Sequence, residues 1–330
     1  MVASGSDFIS RTPIESTVNR LSGVPHLPDV DAVVVNRDGG SALFRALASL
    51  ERQAGVALAV VVVDNGSCPE ERARIAREAP AARVVAFSRN LGFAGAANEG
   101  IARTRAPFVL LLNNDAVLEP DYVARLAARL EFDGRLAAVQ GLVLSEDGRQ
   151  IDTAGLEWNA RGEAVPVLSG ADASVAPREP FEVSGISATA ALYRREALEA
   201  AGPGGAAFES AFFAYYEDVD LSLRLLRKGW RFACDPRASA RHEGSRTGRR
   251  TPLRRAFWTL RNRWRTLFRN FSPALLAKSF PALLRADLAH VRAVGWTGLA
   301  LPLLVWPRLP FQAWRSRGEP GRLEQWPGQS

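Results

Sequence analysis

Short apolar runs alternate with amphipathic stretches through the first third of the chain. The runs have the length and β-branched content of buried strands, and the stretches between them have helical periodicity. The pattern predicts strands at 30–35, 56–63, 83–87 and 107–112, and helices at about 42–53, 70–78 and 94–102. Because each crossover helix must pack back onto the sheet, we expect an α/β fold with a mainly parallel, Rossmann-like sheet and helices on both faces.

Polar residues gather where each predicted strand ends. The four strands are followed in turn by Asn36, by Asp64 and Asn65, by Asn90 and Gly92, and by Asn113, Asn114 and Asp115. Turn chemistry accounts for any one of these loops, since Asp, Asn and Gly favour turns for local reasons. It does not account for all four together, because the turns at the opposite ends, such as 53–55 and 79–81, lack this density of carboxylates and amides. Ligands of parallel sheets bind at the carboxyl ends of strands, so we expect a site at this edge.

A second polar group lies at 217–220, where Glu217, Asp218 and Asp220 follow an aromatic run. Partial burial against aromatic rings raises the proton affinity of a carboxylate, which suits a general base that deprotonates a hydroxyl. Residues 217–226 also fit an amphipathic helix whose acids occupy the first turn, where the helix dipole favours them. In such a helix Glu217 and Asp220 share a face, and Asp218 points about a hundred degrees away from Glu217.

Composition and charge set limits on function. The chain has 330 residues, of which 47% are hydrophobic and 23% charged, an ordinary globular composition. The net charge of +7 comes almost entirely from arginine and would attract phosphates or anionic lipids, so charge alone does not distinguish a nucleotide, a nucleic acid and a membrane. Cys68 and Cys234 are too few for a disulfide framework or a zinc cluster, which favours a reducing compartment, by default the cytoplasm. Residues 1–29 are polar without the apolar core of a secretory signal, and we expect a loose N-terminal leader.

Four motifs, taken in order, resemble family 2 glycosyltransferases. They are VVVDNGS at 61–67, NLGFAGAANEG at 90–100, LLLNND at 110–115 and YEDVDL at 216–221. Each motif is moderately specific, and their ordered combination is strong. The resemblance is nearest to the bacterial rhamnosyltransferase-like branch and implies a GT-A catalytic domain at 30–247. That domain divides into a nucleotide-binding half at 30–115 and an acceptor-binding half at 116–247.

The resemblance also implies an activity and a set of site residues. The activity is inverting transfer of a sugar, with rhamnose as a candidate, from a nucleotide-diphosphate donor to a hydroxyl of a cell-envelope or lipid-linked glycan. Asp218 would be the general base with Glu217 as its competitor, and Glu217 and Asp220 would otherwise orient the loop or bind the acceptor. The positions that match the nucleotide pocket are Asn36, Asp64, Asn65, Asn90, Gly92, Asn98 and Asn114.

A divalent cation, Mg²⁺ or Mn²⁺, is implied by the same resemblance. Asp115 and His242 match its ligands, because 113–115 stands where the family carries its DxD motif and related enzymes carry a histidine near 242. This chain departs from the pattern, since Asn113 occupies the first acidic position. Asp115 is then the one carboxylate, and we expect a hold on the metal that depends more on the diphosphate.

The composition changes after Thr247, where arginines alternate with aromatic and aliphatic residues. The pattern predicts a basic amphipathic helical tail at 248–330 that contacts an anionic membrane surface, with Trp296, Trp306 and Trp314 as interfacial anchors. The apolar segment 294–306 is shorter than the roughly twenty residues that span a bilayer. The corresponding location is cytoplasmic, peripheral at the inner face of the plasma membrane. The alternative, held nearly equal, is that the tail packs on the catalytic domain or mediates homo-oligomerisation.

Two other functional classes fit the sequence less well. A nicotinamide oxidoreductase is disfavoured, because residues 36–40 read NRDGG where a G-x-G-x-x-G motif would follow the first strand. A basic membrane- or nucleic-acid-binding protein on a Rossmann-like scaffold, without transferase activity, explains the arginines. It leaves the acidic strand ends unexplained, since these would repel phosphates in the absence of a metal. We therefore expect no nucleic-acid partner.

Overall fold

One large mixed sheet forms the centre of the fold. The structure, a computed structural model, describes residues 27–159, 161–202, 206–244, 252–293, 295, 301–309 and 321–328. The strands are β1 (Asp29–Asn36), β2 (Ala57–Asn65), β3 (Arg83–Phe87), β4 (Phe108–Asn113), β5 (Ala116–Leu118), β6 (Leu136–Ser145), β7 (Ile151–Thr153), β8 (Leu156–Trp158), β9 (Ala164–Pro166), β10 (Phe181–Val183), β11 (Ala190–Arg194) and β12 (Arg231–His242). The sheet has the order β10-β12-β6-β11-β4-β1-β2-β3, with β5 beside β12 and β7 beside β6, and β8 pairs with β9 separately.

Helices cover the sheet and continue beyond it. They are α1 (Ser41–Glu51), α2 (Pro69–Glu78), α3 (Gly92–Ile101), α4 (Tyr122–Phe132), α5 (Arg195–Ala200), α6 (Glu217–Leu226), α7 (Pro252–Asn270), α8 (Pro273–Ala293) and α9 (Leu301–Val305). The first three helices and the first four strands agree with the sequence prediction to within two residues at each end, and α6 has the predicted bounds.

Alternate residues of the central strand β1 face opposite helices. Val34 packs with Leu43 of α1 in one buried cluster. Val33 packs with Ala97 and Ile101 of α3 in another. A strand covered on both faces is apolar at successive positions, which is why the first four strands read as continuous hydrophobic runs. The prediction of an α/β fold with helices on both faces is confirmed.

Parallel pairing is confined to part of the sheet. β1 runs parallel to β2 and β4, and β2 runs parallel to β3, as the sequence predicts for 30–115. β11 then enters antiparallel between β4 and β6, and β10, β5 and β7 are also antiparallel to their neighbours. After β4 the chain no longer alternates one strand with one crossover helix, so the constraint that makes strands parallel is lifted. β12 nevertheless runs parallel to β6, so the sheet is mixed and its two longest paired runs, β6 with β12 and β1 with β2, are parallel.

The C-terminal helices pack against the rest of the fold. Leu260 and Trp264 of α7 are buried in one cluster with Trp158 of β8 and Leu223 of α6. The Trp158 ring stacks on Trp326 with ring centroids 5.8 Å apart. The apolar face that the sequence assigned to a bilayer therefore contacts protein in this structure, which is the alternative of a packed tail. A contact between the tail and an anionic membrane stays a prediction.

A buried carboxylate ties the tail helices together. Asp287 of α8 accepts hydrogen bonds from Arg263 Nη1 at 2.5 Å, Trp264 Nε1 at 2.7 Å and Trp306 Nε1 at 3.1 Å. Trp306, predicted as a membrane anchor, thus has an internal partner, while Trp296 and Trp314 lie outside the described residues. The predicted leader lies outside them up to residue 26. In the described part of the chain, we find no helix of sufficient length and apolarity to span a bilayer.

Candidate active site

A cleft of about 1500 Å³ opens at the carboxyl ends of β1, β2 and β4. Its walls include the strand-end loops, the segment 213–218 that leads into α6, the helices α7 and α9, residues 187–189, and the side chains of Asp152 and His242. Of the residues predicted from sequence, the cleft is lined by Asn65, Asn90, Gly92, Asn114, Asp115, Glu217, Asp218 and His242. The structure thus brings together residues spread over some 180 positions, as the site hypothesis requires.

Asn65 and Asn90 shape the loop that follows β3. Asn65 Nδ2 donates to Asn90 Oδ1 at 3.0 Å and to the Gly92 carbonyl at 3.1 Å, and Asn65 Oδ1 accepts from the Leu91 N–H at 2.7 Å. Gly92 has φ 77°, and a Cβ added there would lie 2.7 Å from the Phe213 ring. Glycine is therefore required both by the backbone conformation and by the close approach of segment 213–218.

Three other predicted nucleotide residues are occupied by internal partners and do not line the cleft. Asn36 is fully buried and accepts a hydrogen bond from Asn114 Nδ2 at 2.7 Å, so it positions Asn114, which lines the cleft. The Asp64 carboxylate is 1% exposed, pairs with Arg72 Nε at 2.9 Å and accepts from the Ser67 N–H. Asn98 donates to the Phe208 carbonyl at 2.7 Å and accepts from the Phe208 N–H at 2.9 Å. Their direct contact with a nucleotide stays a prediction.

Glu217 and Asp218 stand side by side at the start of α6. The Asp218 carboxylate is half-buried and accepts hydrogen bonds from the Ala188 N–H at 3.2 Å and the Val219 N–H at 2.8 Å. Burial raises the pKa of Asp218, and these two bonds oppose the rise. Burial, with a contribution from the charge of Asp218, raises the pKa of Glu217 to about 8, and its Oε2 is a buried atom without a hydrogen-bond partner.

The two acids therefore ionise in a definite order. The pKa of Glu217 is about 8 and is raised in part by the negative charge of Asp218, so Asp218, held by backbone donors, is the member of the pair that ionises first. Asp220 plays no part in the cleft. It is fully buried, pairs with Arg224 at 2.8 Å and accepts from Asn270 Nδ2 at 2.9 Å, so it joins α6 to α7 and does not reach an acceptor.

Asp115 and His242 meet because β12 pairs antiparallel with β5. Their side chains bring His242 Nε2 to 3.2 Å from Asp115 Oδ1. The two atoms are not aligned as donor and acceptor, and Nε2 is a buried nitrogen without a hydrogen-bond partner. On the other side of the ring, Nδ1 lies 2.8 Å from Asp152 Oδ2. Burial disfavours the imidazolium, but the Asp115 and Asp152 carboxylates outweigh it and raise the pKa of His242 to about 9.

With this geometry established, comparison with known proteins identifies the family. The sequence model described as "Glycosyl transferase family 2" matches residues 32–202, more than half of the chain. The chain belongs to glycosyl transferase family 2. Among relatives, it is 35% identical over 130 residues to the succinoglycan biosynthesis protein ExoO of Rhizobium meliloti (strain 1021), a match that covers 39% of this chain and 37% of that protein. The chain thus matches well under half the length of that relative.

A second relative matches over a longer range. The N-acetylglucosaminyl-diphospho-decaprenol L-rhamnosyltransferase of Mycobacterium tuberculosis (strain ATCC 25618 / H37Rv) is 26% identical over 246 residues, which cover 67% of this chain and 78% of the relative. Among solved structures, the mannosyltransferase PcManGT of Pyrobaculum calidifontis, in complex with GDP-Man and Mn²⁺, superimposes with a TM-score of 0.56 at 20% identity, covering 88% of this chain and 85% of that one. GalNAc-T7 with UDP, GalNAc and Mn²⁺ gives 0.57 at 15% identity, covering 91% and 60%. These likenesses confirm the GT-A fold.

The residues of this family 2 protein fit a divalent cation in part. Asp115 Oδ1 and His242 Nε2 lie 3.2 Å apart on the wall of the cleft, a separation that two ligands of one ion can have. The Asp152 carboxylate on Nδ1 would fix the ring orientation, the arrangement that metal-binding histidines commonly show. Within the described residues no three His, Cys, Asp or Glu side chains form a metal-holding group, so the remaining ligands must come from elsewhere. The diphosphate oxygens of a donor are suited to supply them.

Sequence reasoning missed two components of this family 2 site. Asp152 lies on β7 outside every motif, and only the antiparallel pairing of β7 with β6 carries it to the cleft. The second component is the cleft wall supplied by the C-terminal tail, which includes Arg254, Trp258 and Leu304. The amphipathic pattern of the tail was a signal that it packs on something, but it did not say on what.

Proposed function

We propose that the protein transfers a glycosyl group, with inversion, from a nucleotide-diphosphate sugar to a hydroxyl of its acceptor. The observation that carries the proposal is the convergence of the Asp115–His242 pair and the Glu217–Asp218 pair on one cleft beside the strand ends. The Asp115–His242 pair suits the diphosphate side of the reaction, and the Glu217–Asp218 pair suits deprotonation of the acceptor. Family membership and the GT-A fold support the same reaction class.

The roles follow from the state of each side chain. Asp218, as the charged member of its pair, accepts the proton of the attacking hydroxyl, and no covalent intermediate is needed in a single displacement. Protonated Glu217 keeps a second negative charge away from the departing diphosphate. Asp115 and His242 would hold a divalent cation, which when bound supplies positive charge to the leaving group. Asn65, Asn90 and Gly92 shape the wall on which the nucleoside would bind.

The acceptor in this proposal is a lipid-linked glycan with an anionic linkage. The cleft is larger than the 300–1,000 Å³ typical of a small-molecule site, which leaves room beside the donor. Its tail-side wall combines apolar and guanidinium groups, a surface suited to an alkyl chain attached to phosphate. That wall consists of Leu253, Arg254, Arg255, Phe257, Trp258, Leu301 and Leu304. The name of the mycobacterial relative, which includes a diphospho-decaprenol acceptor and L-rhamnose, supports the same acceptor class and makes rhamnose the first donor sugar to test.

The decisive experiment is a donor screen followed by product analysis. Thermal unfolding is measured with a panel of nucleotide-diphosphate sugars, with and without Mn²⁺, and the stabilising donor is then tested for transfer to polyprenyl-diphosphate glycans in detergent. We expect stabilisation by one donor class that depends on the metal, and a product of inverted anomeric configuration. Absence of stabilisation by any donor, together with salt-sensitive binding of anionic vesicles or DNA, would instead favour the non-enzymatic binding protein.

The acceptor assignment has its own test. Leu304→Ser, at a residue 48% exposed on the cleft wall, should weaken transfer to a polyprenyl-linked acceptor but leave transfer to a short water-soluble analogue within about threefold. Phe132→Ser, at an exposed apolar residue on α4 that does not line the cleft, is the matched control. Equal effects of the two substitutions, or equal loss with both acceptors, would contradict the assignment.

A further inference from the structure

The loop that leads into the acid pair has an unusual backbone conformation. Phe213, Tyr215 and Tyr216 all have left-handed φ, at 68°, 67° and 69°, although none is glycine. Phe213, with ψ −64°, is the centre of a γ-turn closed by the Ala214 N–H on the Phe212 carbonyl at 2.9 Å. Bulky residues adopt such conformations only where their surroundings impose them. The loop lines the cleft and ends one residue before Glu217.

Helix α7 supplies the constraint through Asn262. This side chain is fully buried, and its Nδ2 lies 2.9 Å from the Phe212 carbonyl, 2.9 Å from the Ala214 carbonyl and 2.7 Å from the Tyr215 carbonyl. Three carbonyls thus share the two hydrogens of one amide. Asn262 Oδ1 accepts from Arg261 Nε at 2.9 Å, which fixes the orientation of the amide group.

The remaining carbonyls of the loop are held as well. Arg261 Nη2 donates to the Ala211 carbonyl at 2.7 Å, and the Ala94 N–H of α3 donates to the Phe213 carbonyl at 3.3 Å. Every carbonyl from 211 to 215 therefore accepts a hydrogen bond from another residue of the fold. The Phe213 ring also stacks on Trp258 of α7, with centroids 5.2 Å apart.

We propose that Asn262 is a positioning residue that holds loop 212–216 in the conformation from which Glu217 and Asp218 face the acceptor. The proposal rests on the proposed transferase function only for its kinetic readout. It assigns to the C-terminal tail a part in building the active site, in addition to the burial of apolar surface. The hydrogen bonds of Asn262 go to the loop and to Arg261 and not to the strand-end residues, so we expect the acceptor side to depend on it more strongly than the donor side.

The test compares Asn262→Ala with Asn270→Ala. Asn270 is equally buried on the same helix, and its amide donates to Asp220 Oδ1 and to the Thr266 carbonyl without touching the loop. We expect both variants to lose thermal stability. Only Asn262→Ala should lower kcat/KM for the acceptor, by about 10- to 100-fold, while its donor affinity stays unchanged within about threefold. Only Asn262→Ala should also accelerate hydrogen exchange of the amides of residues 212–218. Asn262→Asp, which keeps the shape but removes the donors, should behave like Asn262→Ala.

Two outcomes would overturn the proposal: equal loss of acceptor kcat/KM in the Asn262 and Asn270 variants, or hydrogen exchange of the loop that is unchanged in Asn262→Ala. If Asn262→Ala does not fold, Arg261→Gln serves in its place, because Arg261 is half-exposed and donates to the Asn262 amide. We expect this variant to show the same loss of acceptor kcat/KM and the same faster exchange of the loop, each to a smaller extent. If the wild-type protein transfers no sugar at all, the proposed function fails. The exchange comparison still decides whether Asn262 holds the loop.

Discussion

Glu217→Gln should remove part of the pH dependence of the free energy of unfolding. Burial raises the pKa of Glu217 from its ordinary 4.5 to about 8 in the folded protein. Between these two values the folded state keeps a proton that the unfolded state has released. The unfolded state then binds fewer protons, so the wild-type free energy of unfolding falls as pH rises through this window. Glutamine, neutral at every pH and of the same shape, removes that dependence.

The size of the effect follows from the shift. One pKa unit corresponds to about 1.4 kcal/mol, so complete ionisation of Glu217 costs the folded state about 5 kcal/mol. Most of this loss falls between pH 5 and pH 8, and over that range the Glu217→Gln variant should gain about 3–4 kcal/mol relative to wild type. Burial also raises the pKa of Asp218 in both proteins, and only the part of that rise that is independent of Glu217 cancels in the comparison, because the two carboxyl groups titrate as a pair.

Urea unfolding of wild type and variant at pH 5, 6.5 and 8 measures this difference. Glu131→Gln, at an exposed carboxylate on α4, controls for the loss of an acid elsewhere. A difference between wild type and Glu217→Gln that stays constant with pH would refute the protonated state of Glu217. It would also remove the reason for assigning the negative charge of the pair to Asp218. Retention of most transfer activity by Glu217→Gln at pH 7 is the matching kinetic expectation.

Three further predictions concern neighbouring parts of the site. Asp218→Asn should lower transfer by about 10²- to 10⁴-fold while leaving donor affinity nearly intact, measured by kinetics and calorimetry; retained turnover would move the base to Glu217. Asp152→Asn should weaken Mn²⁺ binding about tenfold or more in the presence of a nucleoside diphosphate, by electron paramagnetic resonance, whereas the exposed Glu146→Gln should not. Gly92→Ala should cost roughly 1–3 kcal/mol of stability in urea, and Gly134→Ala, which has open space at its Cβ, should be nearly neutral.

The strand ends could be predicted from the sequence because their meeting point is a property of parallel sheets. Once four apolar strands alternate with helices, their carboxyl ends must lie along one edge, and Asn65, Asn90 and Asp115 follow directly. Which of the polar residues reaches the cleft depends on side-chain partners that the pattern does not encode. The Asp64 carboxylate is paired with Arg72, and the Asn98 side chain is hydrogen-bonded to the Phe208 backbone. A motif match therefore predicts the neighbourhood of a residue more securely than its role.

Asp152 could not be predicted for a different reason. It belongs to a short antiparallel strand in the half of the sheet where strand and helix cease to alternate, so no periodic pattern indicates its neighbours. Its distance from His242 is ninety residues along the chain. Only the joint pairing of β6 with β7 and with β12 brings the carboxylate to the imidazole. Contacts of this kind depend on the register of strands, which the sequence pattern leaves open.

The tail shows why an amphipathic arginine-rich helix is ambiguous in sequence. Its apolar face requires cover, and a bilayer and a protein core satisfy that requirement equally well. The arginines do not distinguish the two surfaces either, because several of them have partners within the fold. Arg263 pairs with Asp287, Arg261 donates to the loop carbonyls, and Arg269 pairs with Glu209 and Asp220. The number of arginines in the tail therefore overstates the number of guanidinium groups available to lipid, whereas the net charge of +7 is unchanged by pairing with acids. Among the described residues of the tail, Leu253, Phe280, Leu288 and Leu304 are exposed and apolar, and membrane contact at Leu253 and Leu304 would bring a lipid-linked acceptor to the cleft that holds the acid pair.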